Sequence, residues 1–194
     1  MRPSINGLKG YNFQGTIYCY LLCLMDLERE IIELDAEVSV DNNFDDIFIK
    51  TQNDSFYLQV KNYKNVTFDK IKINATKVSI TGHSPINIKS KEEYNNSILI
   101  LRNLTIPKER INSKIFGIDC VKINNCYIAG YFEDEYNNLI KNLYSNDSRY
   151  NEILITADKK LNTGIYKFVL DDLPPLNIFE QKLQEETKVI RKFS

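Results

Sequence analysis

The chain has 194 residues, and 43% of them are hydrophobic, a proportion that predicts a single soluble domain with a sizeable core. The longest apolar run, residues 21–25, is far too short for a membrane span, and no apolar signal segment follows Met1. We therefore expect a cytoplasmic protein with no membrane partner. The formal net charge of −1 excludes a uniformly basic or acidic chain, yet residues 61–91 carry seven lysines against Asp69 alone.

The first predicted element is a long apolar helix over residues 12–34, in which Ile17, Leu21 and Leu24 recur at helical spacing. Three short strands are predicted next, over residues 36–40, 46–51 and 56–61. The polar run at residues 51–55 is rich in turn-forming side chains. The second and third strands are therefore expected to pair as a hairpin.

The following segment, residues 67–78, carries two patterns. A helix that begins after Thr67 and the strand-like alternation of Ile71 and Ile73 both suit its sequence. The compact apolar run at residues 97–101 predicts a buried fourth strand. In the remainder we expect strands over residues 126–132, 153–156 and 165–170, helices over 133–144 and 178–191, and loops over 145–151 and 158–164.

The predicted hairpin brings chemistry-bearing residues to one end. Successive side chains of a strand point to opposite faces, so Gln59 and Lys61 share a face of the third strand. Asp46 stands at the mouth of the partner strand, and pairing therefore brings its carboxylate near both. Mg²⁺ takes oxygen ligands, and Asp46, the Gln59 amide and the Val60 carbonyl supply them. The alternative is that Asp46 and Lys61 are ordinary residues of a strand end.

This residue set indicates a metal-dependent nuclease. Mg²⁺, for which Mn²⁺ substitutes, makes a bound water easier to deprotonate and neutralises charge on a phosphate. Lys61 then orients or deprotonates the attacking water and holds a phosphate oxygen. Glu37, on the preceding predicted strand, is a candidate second carboxylate at the same site. Asp45 is the fallback ligand, because a one-residue slip of the strand exchanges the faces of the two neighbouring acids.

Three motifs make the chain resemble the PD-(D/E)XK nuclease superfamily, in particular the double-stranded-DNA endonuclease domain of CD-NTase-associated and related bacterial anti-phage effectors. They are Gly10-Tyr11-Asn12-Phe13-Gln14-Gly15 at the start of the helix, Asp45-Asp46-Ile47, and Gln59-Val60-Lys61. The resemblance covers residues 7–62. It implies an α/β fold with a restriction-endonuclease-like core of a helix, a three-strand mixed sheet, a helix and a fourth strand. This core would span residues 7–102 of a single nuclease-like domain (1–194), with an α+β C-terminal elaboration over 103–194, and Gln14 would approach the active site.

The resemblance implies an Mg²⁺-dependent endonuclease of anti-phage defence that hydrolyses double-stranded DNA with little sequence specificity. A homodimer or larger assembly would cut both strands, and a regulatory partner subunit or a sensor region outside this chain would restrain it. Two departures leave alternatives open: no proline precedes Asp46, and Gln59 replaces an acid of the family signature. The alternatives are a catalytically inactive nuclease-fold subunit that binds DNA or a partner, and a type II restriction endonuclease with sequence-reading elements in residues 102–194.

The lysine-rich block directly follows the candidate catalytic lysine. Lys64, Lys70, Lys72 and Lys77 are the candidate contacts to DNA phosphates, which need counter-charge at this position. The block contains no cluster of arginine or amide side chains for contacts to base edges, so binding without sequence preference is expected. The alternative is a solvated lysine face.

The cysteines and the single histidine carry weaker signals. Cys19 and Cys23 lie one turn apart in the apolar helix, which predicts buried, reduced thiols and a reducing compartment. A zinc site that combines them with Cys120 and Cys126 is the alternative. His83 lies in a turn-forming loop and is interpreted as a surface residue.

Overall fold

The computed structural model describes residues 13–36, 44, 46–88 and 95–176, and within them the fold is mixed α/β, as predicted. The chain divides into a first compact unit, residues 1–34 and 133–194, and a second, residues 35–132. The helices are α1 (Phe13–Glu28), α2 (Glu133–Lys141) and α3 (Asp147–Asn162). The strands are β1 (Ile31–Asp35), β2 (Ile47–Thr51), β3 (Ser55–Lys61), β4 (Ile71–Ile73), β5 (Lys77–Ile80), β6 (Ile86–Asn87), β7 (Asn95–Arg102), β8 (Ser113–Ile115), β9 (Ile118–Ile123), β10 (Cys126–Tyr131) and β11 (Lys167–Val169).

Helix α1 is buried on nearly every side, and only its first two residues and its last are half-buried. It ends earlier than the predicted helix. Arg29 adopts a left-handed conformation (φ 57°), and its Nε donates a hydrogen bond to the carbonyl oxygen of Asp26 at 3.0 Å. The helix predicted over residues 29–34 is therefore wrong, because the chain turns there into β1. The predicted strand over residues 36–40 lies almost wholly outside the described residues.

Helix α3 occupies a stretch in which a short strand between loops was predicted. The side chain of Asn146 accepts a hydrogen bond from the Ser148 N–H at 2.9 Å and caps the helix start. Leu154 and Leu161 are buried, whereas Ile155 is 49% exposed, so the apolar stretch is divided between the two faces of a helix. The predictions that α3 overturns are the strand over residues 153–156 and, for the parts inside the helix, the loops over 145–151 and 158–164.

A buried ion pair joins α1 to α3 within the first unit. The Arg149 guanidinium donates to both carboxylate oxygens of Asp26, at 2.6 and 3.2 Å, and both side chains are almost fully buried. The Tyr144 hydroxyl donates to the same carboxylate at 3.0 Å. Arg149 also donates to the Pro175 carbonyl oxygen at 3.2 Å. The Asp26–Arg149 pair thus connects the two helices and the segment after β11.

Two further predictions for the first unit are confirmed. Helix α2 confirms the helix predicted over residues 133–144, and β11, which pairs with β1, confirms the strand predicted over 165–170. The final helix predicted over residues 178–191 lies outside the described part of the chain. None of the described helices is long and apolar enough to cross a membrane.

Six strands of the second unit form one mixed sheet in the order β2-β3-β7-β10-β9-β8. Strand β3 is antiparallel to β2 and parallel to β7, while β10 is parallel to β7 and antiparallel to β9. The strands predicted over residues 46–51, 56–61, 97–101 and 126–132 are confirmed as β2, β3, β7 and β10. Strands β8 and β9 were not predicted.

A small antiparallel sheet, β4-β5-β6, fills the connection from β3 to β7. The second core helix implied by the family resemblance is therefore wrong for the described residues 62–88, which hold one short 3-10 turn at Phe68–Lys70 and no α-helix. The strand-like alternation of apolar and polar side chains in this segment agrees with the structure. Ile71 pairs with Ile80, and the apolar side chains of the small sheet turn inward while Lys72 stays exposed.

The inward side chains of the small sheet belong to a hydrophobic cluster on one face of the six-stranded sheet. Its buried members are Phe44, Val78, Ile80, Ile86, Leu99, Leu101, Leu104, Cys126 and Ile128. Tyr57 and Tyr63 pack at its margin. The small sheet therefore has one face on the core and one face toward solvent.

Candidate functional site

The β2–β3 hairpin sets the position of the candidate site. Its polar turn is closed by hydrogen bonds between Thr51 and Asp54, including Thr51 N–H to the Asp54 carbonyl oxygen at 2.9 Å. The register pairs Ile47 with Leu58, so Asp46 comes directly before the ladder. The hairpin and its register agree with the sequence pattern.

The Asp46 carboxylate extends this ladder by one further hydrogen bond. Its Oδ2 accepts from the Val60 N–H at 2.7 Å, and the Asp46 N–H donates to the Leu58 carbonyl oxygen at 3.0 Å. Both contacts hold Asp46 against the stretch of β3 that contains Gln59 and leads to Lys61. The structure thus brings together the acid and the strand end that the spacing suggested.

Gln59 and Lys61 lie on the same face of β3 but differ in exposure. Gln59 is 5% exposed, whereas Lys61 is half-buried. In the parallel register with β7 they lie beside Leu99 and Leu101, which belong to the hydrophobic cluster. The amide is therefore set against an apolar surface, and the ammonium stands at its rim.

Sequence reasoning missed two stacked rings, one of which lies beside Lys61. The Lys61 Nζ lies 5.9 Å from the ring centroid of Tyr63, within the range of a cation–π contact. The exposed His83 stacks on Tyr63, with ring centroids 3.8 Å apart and an interplanar angle of 11°. The prediction that His83 is a surface residue is confirmed, but its contact with Tyr63 joins residues that are distant in sequence. The only sequence signal was the Gly82-His83 turn.

The lysine block surrounds the outward face of the small sheet. Lys64, Lys72 and Lys77 are exposed, and the alternation of the strands puts Lys72 and Lys77 on the face away from the core. The exposed Lys70 donates from Nζ to the Asn65 carbonyl oxygen at 3.2 Å. A positive surface follows the strand that ends at Lys61.

One acid lies within this positive surface. The Thr67 hydroxyl donates to Asp69 Oδ1 at 2.5 Å. That hydrogen bond is the main cause that lowers the pKa of the Asp69 carboxyl. Asp69 therefore stays ionised and offsets part of the charge of the neighbouring Lys70.

The other predicted site residues lie outside the described part of the second unit. Gln14 lies in α1 of the first unit and is half-buried. Glu37 and Asp45 fall outside the described residues. Within residues 13–36, 44, 46–88 and 95–176, no group of three or more His, Cys, Asp or Glu side chains is placed to hold a metal ion. Asp46 is thus the one predicted carboxylate ligand whose position is described.

The four cysteines are free and buried, as predicted. Burial raises the pKa of both Cys19 and Cys126 to about 12. The pKa values of Tyr144 and Tyr150, which lie against the cysteines of α1, are also raised, chiefly by burial. The Cys19 and Cys126 thiols are therefore neutral at physiological pH.

Neither a protein-family model nor a curated protein or solved structure matches this chain.

Proposed function

We propose that this chain is a metal-dependent DNA endonuclease whose site is built on the β2–β3 hairpin. The observation that carries the proposal is the 2.7 Å hydrogen bond from the Val60 N–H to Asp46 Oδ2. It holds a carboxylate against the strand that ends in Lys61. An acid, neutral oxygen donors and a lysine at one strand mouth form a residue set that can support phosphodiester hydrolysis with a metal.

The donor set suits a hard divalent cation. Asp46 would supply a charged oxygen, and the Gln59 amide and Val60 carbonyl would supply neutral ones, with waters to complete the shell of Mg²⁺ or Mn²⁺. When bound, such an ion activates a water and neutralises charge on the phosphate. With one carboxylate among the described candidates, we expect weak binding that saturates only when DNA phosphate joins the coordination shell.

Lys61 has two roles in this proposal. Its half-buried stem keeps the ammonium at the rim of the hairpin, where it holds a phosphate oxygen or orients the attacking water. Lys64, Lys70, Lys72 and Lys77 supply counter-charge to the DNA backbone on the adjacent surface. Because contacts to phosphates carry no sequence information, cleavage would show little sequence preference.

The order of elements also supports the nuclease class. A helix, three strands and a later strand parallel to the third follow one another as α1, β1, β2, β3 and β7. The small sheet β4-β5-β6 stands where the family has a helix. We propose that the enzyme acts in the cytoplasm in anti-phage defence, as a homodimer or larger assembly. A partner subunit or sensor region would control it.

The second candidate is a nuclease-like subunit that binds DNA or a partner without cleaving it. The observation that favours it is the burial of Gln59, which is 5% exposed and replaces an acid of the family signature. An amide in that place leaves the metal with one fewer charge.

Plasmid cleavage with Mg²⁺, Mn²⁺ or EDTA separates the two candidates. The endonuclease should nick or linearise the plasmid only with a metal, and Lys61→Ala should reduce the rate by roughly 100-fold or more. Lys50→Ala is the matched control, because Lys50 is an exposed lysine of the neighbouring strand β2. Metal-independent DNA binding without cleavage would favour the second candidate, and equal cleavage by wild type and Lys61→Ala would refute the proposed site.

A further inference from the structure

The stacked pair of Tyr63 and His83 stands beside the candidate site. The ring of His83 is carried by the tight turn between β5 and β6, where Gly82 adopts φ +85°. The His83 N–H donates to the Ile80 carbonyl oxygen at 3.0 Å, and the Thr81 N–H donates to that of Lys70 at 3.2 Å. Backbone hydrogen bonds thus fix the turn on the small sheet, next to the lysine block.

The two rings differ in their surroundings. Tyr63 is half-buried and packs at the margin of the hydrophobic cluster, so its position is set by the core. His83 is exposed and lies almost parallel to it, at 3.8 Å and 11°. His83 therefore remains accessible to solvent although one of its ring faces lies against Tyr63. The pair therefore presents a flat aromatic surface whose orientation is already fixed.

The chemistry around this surface is that of a nucleic-acid contact. The Lys61 Nζ lies 5.9 Å from the Tyr63 ring centroid. Lys64 follows Tyr63 directly in sequence, and the carbonyl oxygen of Lys70 accepts a hydrogen bond from the turn that carries His83. Proteins that hold unpaired strands combine such cations with aromatic rings on which bases stack. A base inside an intact duplex has no free face, whereas an unpaired base has two.

We propose that the His83–Tyr63 pair is a stacking platform for an unpaired base of the DNA strand that reaches Lys61. This inference rests on the proposed function and names its substrate class, DNA with an unpaired segment beside the phosphate that is cut. The lysines attract any DNA backbone, and the platform selects strands whose bases are free. An intact duplex would bind through the lysines alone.

The experiment compares two dye-labelled oligonucleotides by fluorescence anisotropy in EDTA, so that cleavage plays no part. One is a perfect duplex, and the other is a duplex of the same length with a short unpaired bubble. Wild type should prefer the bubble. His83→Ala should reduce this preference by about 5- to 150-fold, the equivalent of roughly 1–3 kcal/mol for one stacked base.

Three further variants or signals make the outcome specific. His83→Phe keeps a flat ring and should keep the preference, while Ser84→Ala, an exposed neighbour in the same turn, should have no effect. His83 is the only histidine of the chain, so its imidazole proton signals report the contact directly. They should shift on addition of the bubble and much less on addition of the duplex.

The outcomes separate the two proposals. Equal binding of both oligonucleotides by wild type and His83→Ala would overturn the platform and leave DNA binding in place. Binding of neither oligonucleotide would overturn the platform together with the proposed function. Loss of the preference in both His83→Ala and His83→Phe would show that the imidazole nitrogens, not stacking, make the contact, which also refutes the platform.

Discussion

Asp46 combines a structural and a chemical role at one side chain. Its carboxylate satisfies the Val60 N–H at the end of the hairpin, and the same group is the proposed metal ligand. A substitution to alanine therefore removes two functions at once. Asparagine keeps an oxygen that can accept from Val60 and removes only the charge.

The residue-scale prediction uses this difference. Asp46→Ala should lower the free energy of unfolding by about 1–3 kcal/mol, because a partly buried N–H loses its acceptor, whereas Asp46→Asn should lose much less. Both should reduce metal-dependent plasmid cleavage by roughly 100-fold or more. Urea unfolding and cleavage assays measure the two effects. Asp54→Asn, at the opposite end of the hairpin, should leave stability and cleavage unchanged. Full cleavage by Asp46→Asn would show that the charge of Asp46 is not needed for catalysis.

Part of the site was predictable from local patterns alone. The side-chain period of a strand and a short polar turn are enough to place Asp46 beside the segment from Gln59 to Lys61. The stack of His83 on Tyr63 was not predictable. It depends on how the β5–β6 turn is placed against the segment that follows β3. Burial of Gln59 was equally hidden, since it follows from the cluster that the small sheet completes.

At the scale of elements, the link between α1 and α3 depends on one carboxylate with two unequal arginine partners. Arg149 is buried and bidentate, whereas Arg29 is 42% exposed and 3.8 Å from the same Asp26. Arg149→Ala should lower the free energy of unfolding by about 3–5 kcal/mol, because Asp26 would remain buried without its buried charge partner and would keep only the distant, exposed Arg29. Arg29→Ala should cost less than about 1 kcal/mol. Equal costs in urea unfolding would contradict the burial argument.

The small sheet β4-β5-β6 gives the second element-scale prediction. If its outward face contacts DNA phosphates, replacing Lys64, Lys70 and Lys72 by alanine should flatten the log–log dependence of affinity on salt by up to about 3. The matched control replaces three exposed lysines elsewhere in the second unit, Lys108, Lys114 and Lys122. An identical loss of slope in both triple variants would show that only net charge matters.

Stretches with an ambiguous period were left open or misassigned by sequence reasoning. In residues 71–80 isoleucine and valine alternate with polar side chains, and packing against the cluster made them strands rather than a helix. Residues 153–156 are a short apolar run whose period cannot be judged alone. The cap at Asn146 and the burial of Leu161, both outside that run, decide for α3.

For the molecule as a whole, buried thiols predict a loss of stability in alkali. The pKa of Cys126 is raised from 9.0 to about 12, and desolvation is the cause. Above about pH 9 the unfolded thiol releases its proton while the folded one keeps it, so unfolding becomes more favourable up to about pH 12. The stability difference between wild type and Cys126→Ala should change by roughly 1 kcal/mol per pH unit in that window, to the disadvantage of wild type.

Urea unfolding of both proteins at about pH 8 and about pH 10 measures this effect. The comparison cancels the titration of other groups, including the buried tyrosines Tyr144 and Tyr150. A difference that stays constant with pH would show that the folded thiol ionises as readily as the unfolded one.

The connectivity of the first unit has a consequence for synthesis of the chain. Asp26 and Arg149 are 123 residues apart, and the whole second unit lies between them in sequence. On a ribosome, α1 leaves the exit tunnel first and the strands of the second unit follow. The side of α1 that contacts α3 has no partner until α3 has been made. A nascent chain that stalls before residue 147 therefore carries the hairpin of the candidate site together with an unshielded helix. Such a chain is the form of this protein that chaperones should bind and that should aggregate most readily.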